Sequence, residues 1–181
     1  TTAGNMDFYV VSSSEGGYDV LNLYIDGVWE KRWAEYDFTD PGGIYTMSTI
    51  SYPASHANTI AVGASTDGNL RSEYSQFGTG LDIVTPSGGG TAAIWTTDRT
   101  GSAGYHGSSY MPAFSGTSSS SPLAAGIGAL VLARNPTLTA SEVRSVLRRS
   151  CAKIGGVTYS GGDAGAGGWN QYYGYGKLMA S

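Results

Sequence analysis

The run from Leu123 to Ala133, LAAGIGALVLA, carries no charge until Arg134. It is too short to cross a bilayer, which needs about 20 apolar residues. It is also apolar on every side, so the pattern predicts a helix buried all round. The rest of the chain must then supply layers to cover it. Two short apolar runs bounded by turn residues, TIAVGAS (Thr59 to Ser65) and LDIVTP (Leu81 to Pro86), suit strands buried on both faces of a parallel sheet. Asn135-Pro136 stops the apolar helix, and Thr139 with Glu142 forms a capping-box signature for a second one. On that second helix Val143, Val146, Leu147 and Cys151 share a face, with Arg144, Arg148 and Arg149 directed away from it. Strands followed by helices in this order predict an α/β fold with a doubly wound, mostly parallel sheet.

The first part of the chain reads differently. In MDFYVV and LNLYI apolar residues alternate with others, and Asp26-Gly27 is a hairpin turn signal. Pro41-Gly42-Gly43 marks a boundary. The expectation is a β-rich segment with a short hairpin over 1–43, followed by an α/β unit over 44–181.

Composition limits the function. Apolar residues make up 40% and charged residues 13% of the 181, which excludes a disordered, highly charged chain. Ten basic against 14 acidic residues give a net charge of −4, which argues against an electrostatic nucleic-acid binder. No run reaches transmembrane length. The single cysteine, Cys151, cannot form an internal disulfide. Few lysines with abundant Tyr, Gly and Ser suit a secreted or cell-surface protein. The chain does not begin with Met, TTAGNMDF is no signal peptide, and the sequence reads as a piece of something longer.

Directly before the apolar helix stands FSGTSSSSP, Phe114 to Pro122. A flexible linker does not lead straight into a buried helix. Gly116-Thr117-Ser118 followed by Pro122 reads instead as a tight turn feeding a helix N-terminus, with proline in the first turn where its missing N–H is not needed. A side chain there sits beside unpaired N–H groups and the positive end of the helix dipole. That is a place to hold a nucleophile, because the oxyanion formed on attack needs N–H donors. It also suits an ordinary capping serine.

GTSSSSPLAAG closely resembles the catalytic-serine motif of the subtilisin-like serine proteases. The resemblance continues in order through YPASHANTIAVGAS (Tyr52 to Ser65), SEYSQFGTGLDIVTPSGG (Ser72 to Gly89), NPTLTASEVRSVL and YYGYGKLMA (Tyr172 to Ala180). PLAAG, WTTD (Trp95 to Asp98) and GGIYTMSTIS (Gly42 to Ser51) lean toward the kexin and furin branch. The resemblance implies a polypeptide substrate and Ser118 as nucleophile, with Ser119, Ser120 and Ser121 as small spacers. It implies Asn5, in Ala3-Gly4-Asn5, as a side-chain oxyanion donor. It implies Asp98 as an acidic group in the pocket for a basic side chain, although Asp98 equally suits a turn aspartate bonding its own backbone. Calcium is common in the family, but the sequence offers no cluster of carboxylates to assign as ligands, so no cofactor is expected beyond structural calcium in a parent protein.

The family also needs a histidine base and an orienting aspartate upstream of the serine. Only His56 and His106 are present, in PASHANT and GYHGSS, and neither matches a catalytic motif. The chain therefore resembles the C-terminal part of a catalytic domain, with the missing N-terminal part as its partner. The stretch AGNMDFYVVSSSEGGYDVLNLYIDGVW also resembles a β-sandwich module of bacterial surface proteins. The alternative function is thus a non-catalytic surface or adhesion module binding sugar or protein, with Tyr24, Trp29 and Trp33 as an aromatic face.

Overall fold

A computed structural model describes residues 21–25, 28–33, 50 and 52–180. Its centre is a four-stranded sheet. Strands β3 (Val62–Ser65) and β4 (Ile83–Pro86) pair in parallel, with Val62 opposite Ile83 and Ser65 opposite Pro86. The next neighbour of β4 is β8 (Lys177–Leu178), also parallel, and β7 (Cys151–Ala152) closes the far edge antiparallel to β8. A separate antiparallel pair joins β5 (Ile94–Thr97) to β6 (Tyr110–Phe114). In the N-terminal part β1 (Leu21–Ile25) pairs antiparallel with β2 (Val28–Trp33), Ile25 standing opposite Val28. The Asp26-Gly27 turn itself lies outside the described residues, as does Asn5.

Successive strand residues face opposite sides of the sheet, and this splits the core in two. Ile60, Val62 and Ile83 pack with Ala124 of α1 (Thr117–Arg134) and with Val143 and Leu147 of α2 (Ala140–Arg149). Val84, next to Ile83, turns to the other side and packs with Leu81, Ile154 and Tyr173. The architecture is mixed α/β with a mostly parallel sheet. Among the described residues both helices lie on one face, and the other face is covered by irregular chain around Ile154, Tyr159 and Tyr173.

Three expectations are corrected. First, α1 is not buried all round. Ala124 is 2% exposed, but Leu130 is 65% and Leu123 38% exposed. Leu123, Gly126, Leu130 and Ala133 follow helical spacing along one uncovered stripe. Only the opposite face meets β3, β4 and α2. Second, the helix starts at Thr117, so Pro122 stands inside it rather than in its first turn. Lacking an N–H, Pro122 leaves the Ser118 carbonyl without its donor four residues on. Third, Arg144 and Arg148, read only as directed away from the apolar face, are tied back to the core. Both turn onto Asp82, which is 2% exposed at the start of β4. Arg144 Nη2 lies 2.8 Å from Asp82 Oδ2 and Arg148 Nε 2.9 Å from Oδ1, while the Ala61 N–H donates to Oδ2 at 2.9 Å. One buried carboxylate thereby ties α2 to two strands, a contact that helical periodicity alone does not reveal.

The capping box is present as expected. The Thr139 hydroxyl accepts from the Glu142 N–H, and the Glu142 carboxylate accepts from the Thr139 N–H. That bond holds the Glu142 pKa below its ordinary value.

Candidate active site

Strand β6 ends at Phe114, and two residues later the chain enters α1. Gly116 makes the turn with φ 83° and ψ 168°, a conformation essentially confined to glycine. This lets the backbone reverse sharply and places Thr117 and Ser118 in the first helical turn. Of the hydroxyl residues from Thr117 to Ser121, only Ser118 is half-exposed; the other four are buried. No hydrogen bond to Ser118 is found among the described residues, for its hydroxyl or its backbone N–H. At the second helical position that N–H has no carbonyl four residues back to bond. A free hydroxyl and a free N–H therefore share the positive end of α1.

The turn beneath Ser118 is held by side chains. The Gly116 N–H donates to the Tyr74 hydroxyl at 3.2 Å. The Gly116 carbonyl accepts from Ser87 Oγ at 2.8 Å and from Ser119 Oγ at 3.0 Å. Ser87 Oγ is also 2.7 Å from Ser119 Oγ and 2.8 Å from the Tyr74 hydroxyl. Ser87 directly follows β4, at the carboxyl end of the parallel strands, where open α/β sheets place their ligands. Gly88 comes so close to the turn that an added Cβ would stand 2.6 Å from the Ser115 Cβ. Sequence reading gave Ser119 only a spacing role and gave Tyr74 and Ser87 none. The signal that could have found Ser87 is its place just past a buried parallel strand. Ser120 and Ser121 do act as small buried residues, and their hydroxyls have no partner among the described residues.

Beside the turn lies a cleft of about 500 Å³ between the glycine loop 88–90 and β6, lined also by Trp95, Pro112, Ala113 and Ser115. Asp67 shapes its rim. Its carboxylate accepts from the Thr91 hydroxyl and from the Thr91 and Ala92 N–H groups, at 3.1 Å each for the two amides. The Thr91 hydroxyl, chiefly, holds the Asp67 pKa below the ordinary value.

Asp98 follows β5 and is half-buried. Its carboxylate accepts from the His106 and Arg99 N–H groups, each at 2.8 Å, and so fastens the loop between β5 and β6. The His106 N–H is the main cause of its lowered pKa. Neither histidine is bonded to Ser118. His56 Nδ1 accepts from the Asn58 N–H, and His106 Nδ1 engages Ser108. No group of three or more His, Cys, Asp or Glu side chains that could hold a metal ion occurs among the described residues. Nor is any helix among them long and apolar enough to cross a membrane.

Known proteins match this chain in both sequence and fold. The sequence model described as the subtilase family, Peptidase_S8, matches residues 32–176. The calcium-dependent protease of Trichormus variabilis is 44% identical over 140 residues, covering 70% of this chain and 21% of that protein. Subtilisin BL of Lederbergia lenta is 38% identical over 114 residues, covering 63% of this chain and 38% of that protein. Among solved structures, the serine protease of Aeromonas sobria superimposes with a TM-score of 0.56 at 23% identity, over 66% of this chain and 27% of that one, a likeness of fold. The chain spans well under half the length of these curated relatives.

Proposed function

The chain belongs to the subtilase family of serine proteases, and from that premise we propose that it is the nucleophile-bearing part of a serine endopeptidase. One observation carries the assignment. Within the serine run, Ser118 alone presents an unbonded, half-exposed hydroxyl at the helix N-terminus. Its Oγ attacks the peptide carbonyl carbon and loses its proton to a base. The C–N bond then breaks, the amine leaves with that proton, and water hydrolyses the acyl-enzyme. We assign the Ser118 N–H, unbonded at the helix start, and the Asn5 side-chain amide as the two donors to the developing oxyanion.

The base and its orienting carboxylate come from a segment preceding this one, in the same protein or in a partner chain. The uncovered apolar stripe of α1 supports that reading. Leu123, Gly126, Leu130 and Ala133 form an exposed apolar surface on the nucleophile's helix, with open space above Gly126. The base-bearing segment would bury this stripe and bring its imidazole to Ser118. We assign residues 1–43 to an inserted β-rich segment and the protein to the secreted or cell-surface space. Asp98 gives the kexin-like preference for a basic side chain. Its two carboxylate oxygens offer about four acceptor sites, so its loop bonds leave capacity for a guanidinium or ammonium.

The experiment compares the 181-residue chain with the full-length protein on a fluorogenic peptide. The chain alone should show no turnover. The full-length protein should turn over, and Ser118→Ala should lower kcat by about 10⁶-fold, the loss seen when the subtilisin nucleophile is removed. Turnover by the chain alone that Ser118→Ala abolishes would contradict the missing-base reading and point to His106.

A further inference from the structure

Serine nucleophiles react only when held to within a fraction of an ångström of the attack geometry. Here the two peptide groups flanking Gly116 are pinned from opposite sides. Its N–H is held by Tyr74, and its carbonyl by Ser87 and Ser119. The three hydroxyl oxygens lie within reach of one another, Tyr74 and Ser87 2.8 Å apart and Ser87 and Ser119 2.7 Å apart, so their three protons are shared among these contacts and the neighbouring carbonyls. Ser87 and Ser119 are 3% and 2% exposed, so water does not compete for these bonds. The chain is anchored again at the glycine loop. Both the Tyr74 hydroxyl and Ser72 Oγ donate to the Gly88 carbonyl, at 2.9 and 2.7 Å. The components come from three separate stretches: the segment after β3, the end of β4 and the first turn of α1.

We infer that Tyr74, Ser87 and Ser119 form a hydroxyl clamp that fixes the Gly116 turn, and through it the direction of the Ser118 hydroxyl and N–H. They are positioning residues, since none is bonded to Ser118 or placed on the reacting carbonyl. The inference rests on Ser118 being the nucleophile and adds the device that aims it. A helix N-terminus frays unless its orphan groups are held. This one has no side-chain cap of the ordinary kind, because its N-cap is glycine. The clamp instead holds the N-cap residue itself, through its N–H and carbonyl, and leaves the Ser118 N–H unbonded. It also explains a polar cluster that the core would otherwise be better without, since buried hydroxyls are retained only where their bonds are satisfied.

The test uses the full-length protein with a fluorogenic peptide and, separately, a fluorophosphonate that forms a bond to an activated serine with loss of fluoride. Tyr74→Phe removes one hydroxyl and leaves the Gly116 N–H unpaired. It should lower kcat and the fluorophosphonate labelling rate about tenfold, the size of one lost hydrogen bond, with KM within about twofold. Ser87→Ala should do the same, and it covers the case in which Tyr74→Phe does not fold. The double variant should be less than additive, because both act on one network. A structural role alone would lower the melting temperature without this split between kcat and KM. If both single variants keep kcat and labelling within twofold of the parent while Ser118→Ala is inactive, the clamp is wrong and the nucleophile stands. If Ser118→Ala keeps its turnover, the nucleophile fails and the clamp falls with it.

Discussion

Replacing Gly116 by alanine tests the turn's need for glycine directly. At φ 83° and ψ 168° an alanine Cβ meets its own backbone, and holding a residue in such a region costs about 1–3 kcal/mol. The variant can escape by rotating Gly116 to negative φ. That swings both flanking peptides away from Tyr74, Ser87 and Ser119, and each lost hydrogen bond costs about 1 kcal/mol. The two routes cost about 2 and about 3 kcal/mol, so the loss should be about 2–3 kcal/mol. In urea, with a slope of about 1–3 kcal/mol per molar, the unfolding midpoint should fall by roughly 1 M with the slope unchanged. Gly126 supplies the control. It lies mid-helix, exposed, with nothing within 4 Å of an added Cβ, so Gly126→Ala should stabilise by about 0.5–1 kcal/mol. The same chemical change at two glycines of one element should thus act with opposite sign. A Gly116→Ala midpoint equal to the parent's would refute the argument that this turn requires glycine.

Other perturbations probe separate parts of the account. Asp82→Ala leaves two guanidinium groups facing a buried, empty position and should cost about 3–5 kcal/mol in a denaturation curve. Ser120→Ala removes a buried hydroxyl with no partner among the described residues and should leave stability unchanged or slightly raised in the same assay. Leu130→Glu should shift the stability of the isolated chain by less than about 0.5 kcal/mol. In the full-length protein it should cost several times more, because the stripe is then covered. The Asp67 carboxylate binds the Thr91 loop best when ionised, so its folded pKa lies below 3.8. The tether is complete above that value and is lost as pH falls through the lower folded pKa. The amide resonances of Thr91 and Ala92 should titrate on that acid limb, and Asp67→Asn should abolish the limb.

What could be read from the sequence follows the range of the forces. Strands Val62–Ser65 and Ile83–Pro86 were legible because burial on both faces leaves continuous apolar runs. The Thr139–Glu142 box was legible because its bonds span three residues. Ser118 stood out because a nucleophile at a helix start needs glycine, small residues and a following helix in one short stretch. The hydroxyl clamp was not legible, since Tyr74, Ser87 and Ser119 are ordinary polar residues until the fold brings them together. The pairing of Asp82 with Arg144 and Arg148 spans more than 60 residues, and local periodicity says only that those arginines lie off the apolar face. The α1 helix departs from its sequence pattern for a different reason. Its composition anticipates full burial, whereas the described residues cover only one face.

The central claim is that Ser118 is the nucleophile, and active-site labelling measures it most directly. The full-length protein is treated with a fluorophosphonate, digested with trypsin, and the adduct located by mass spectrometry. Cleavage after Arg99 and Arg134 releases Ser118 on the peptide Thr100–Arg134. The account predicts one adduct, on Ser118 Oγ, that disappears in Ser118→Ala. An adduct on any other serine, or labelling undiminished in Ser118→Ala, would contradict it.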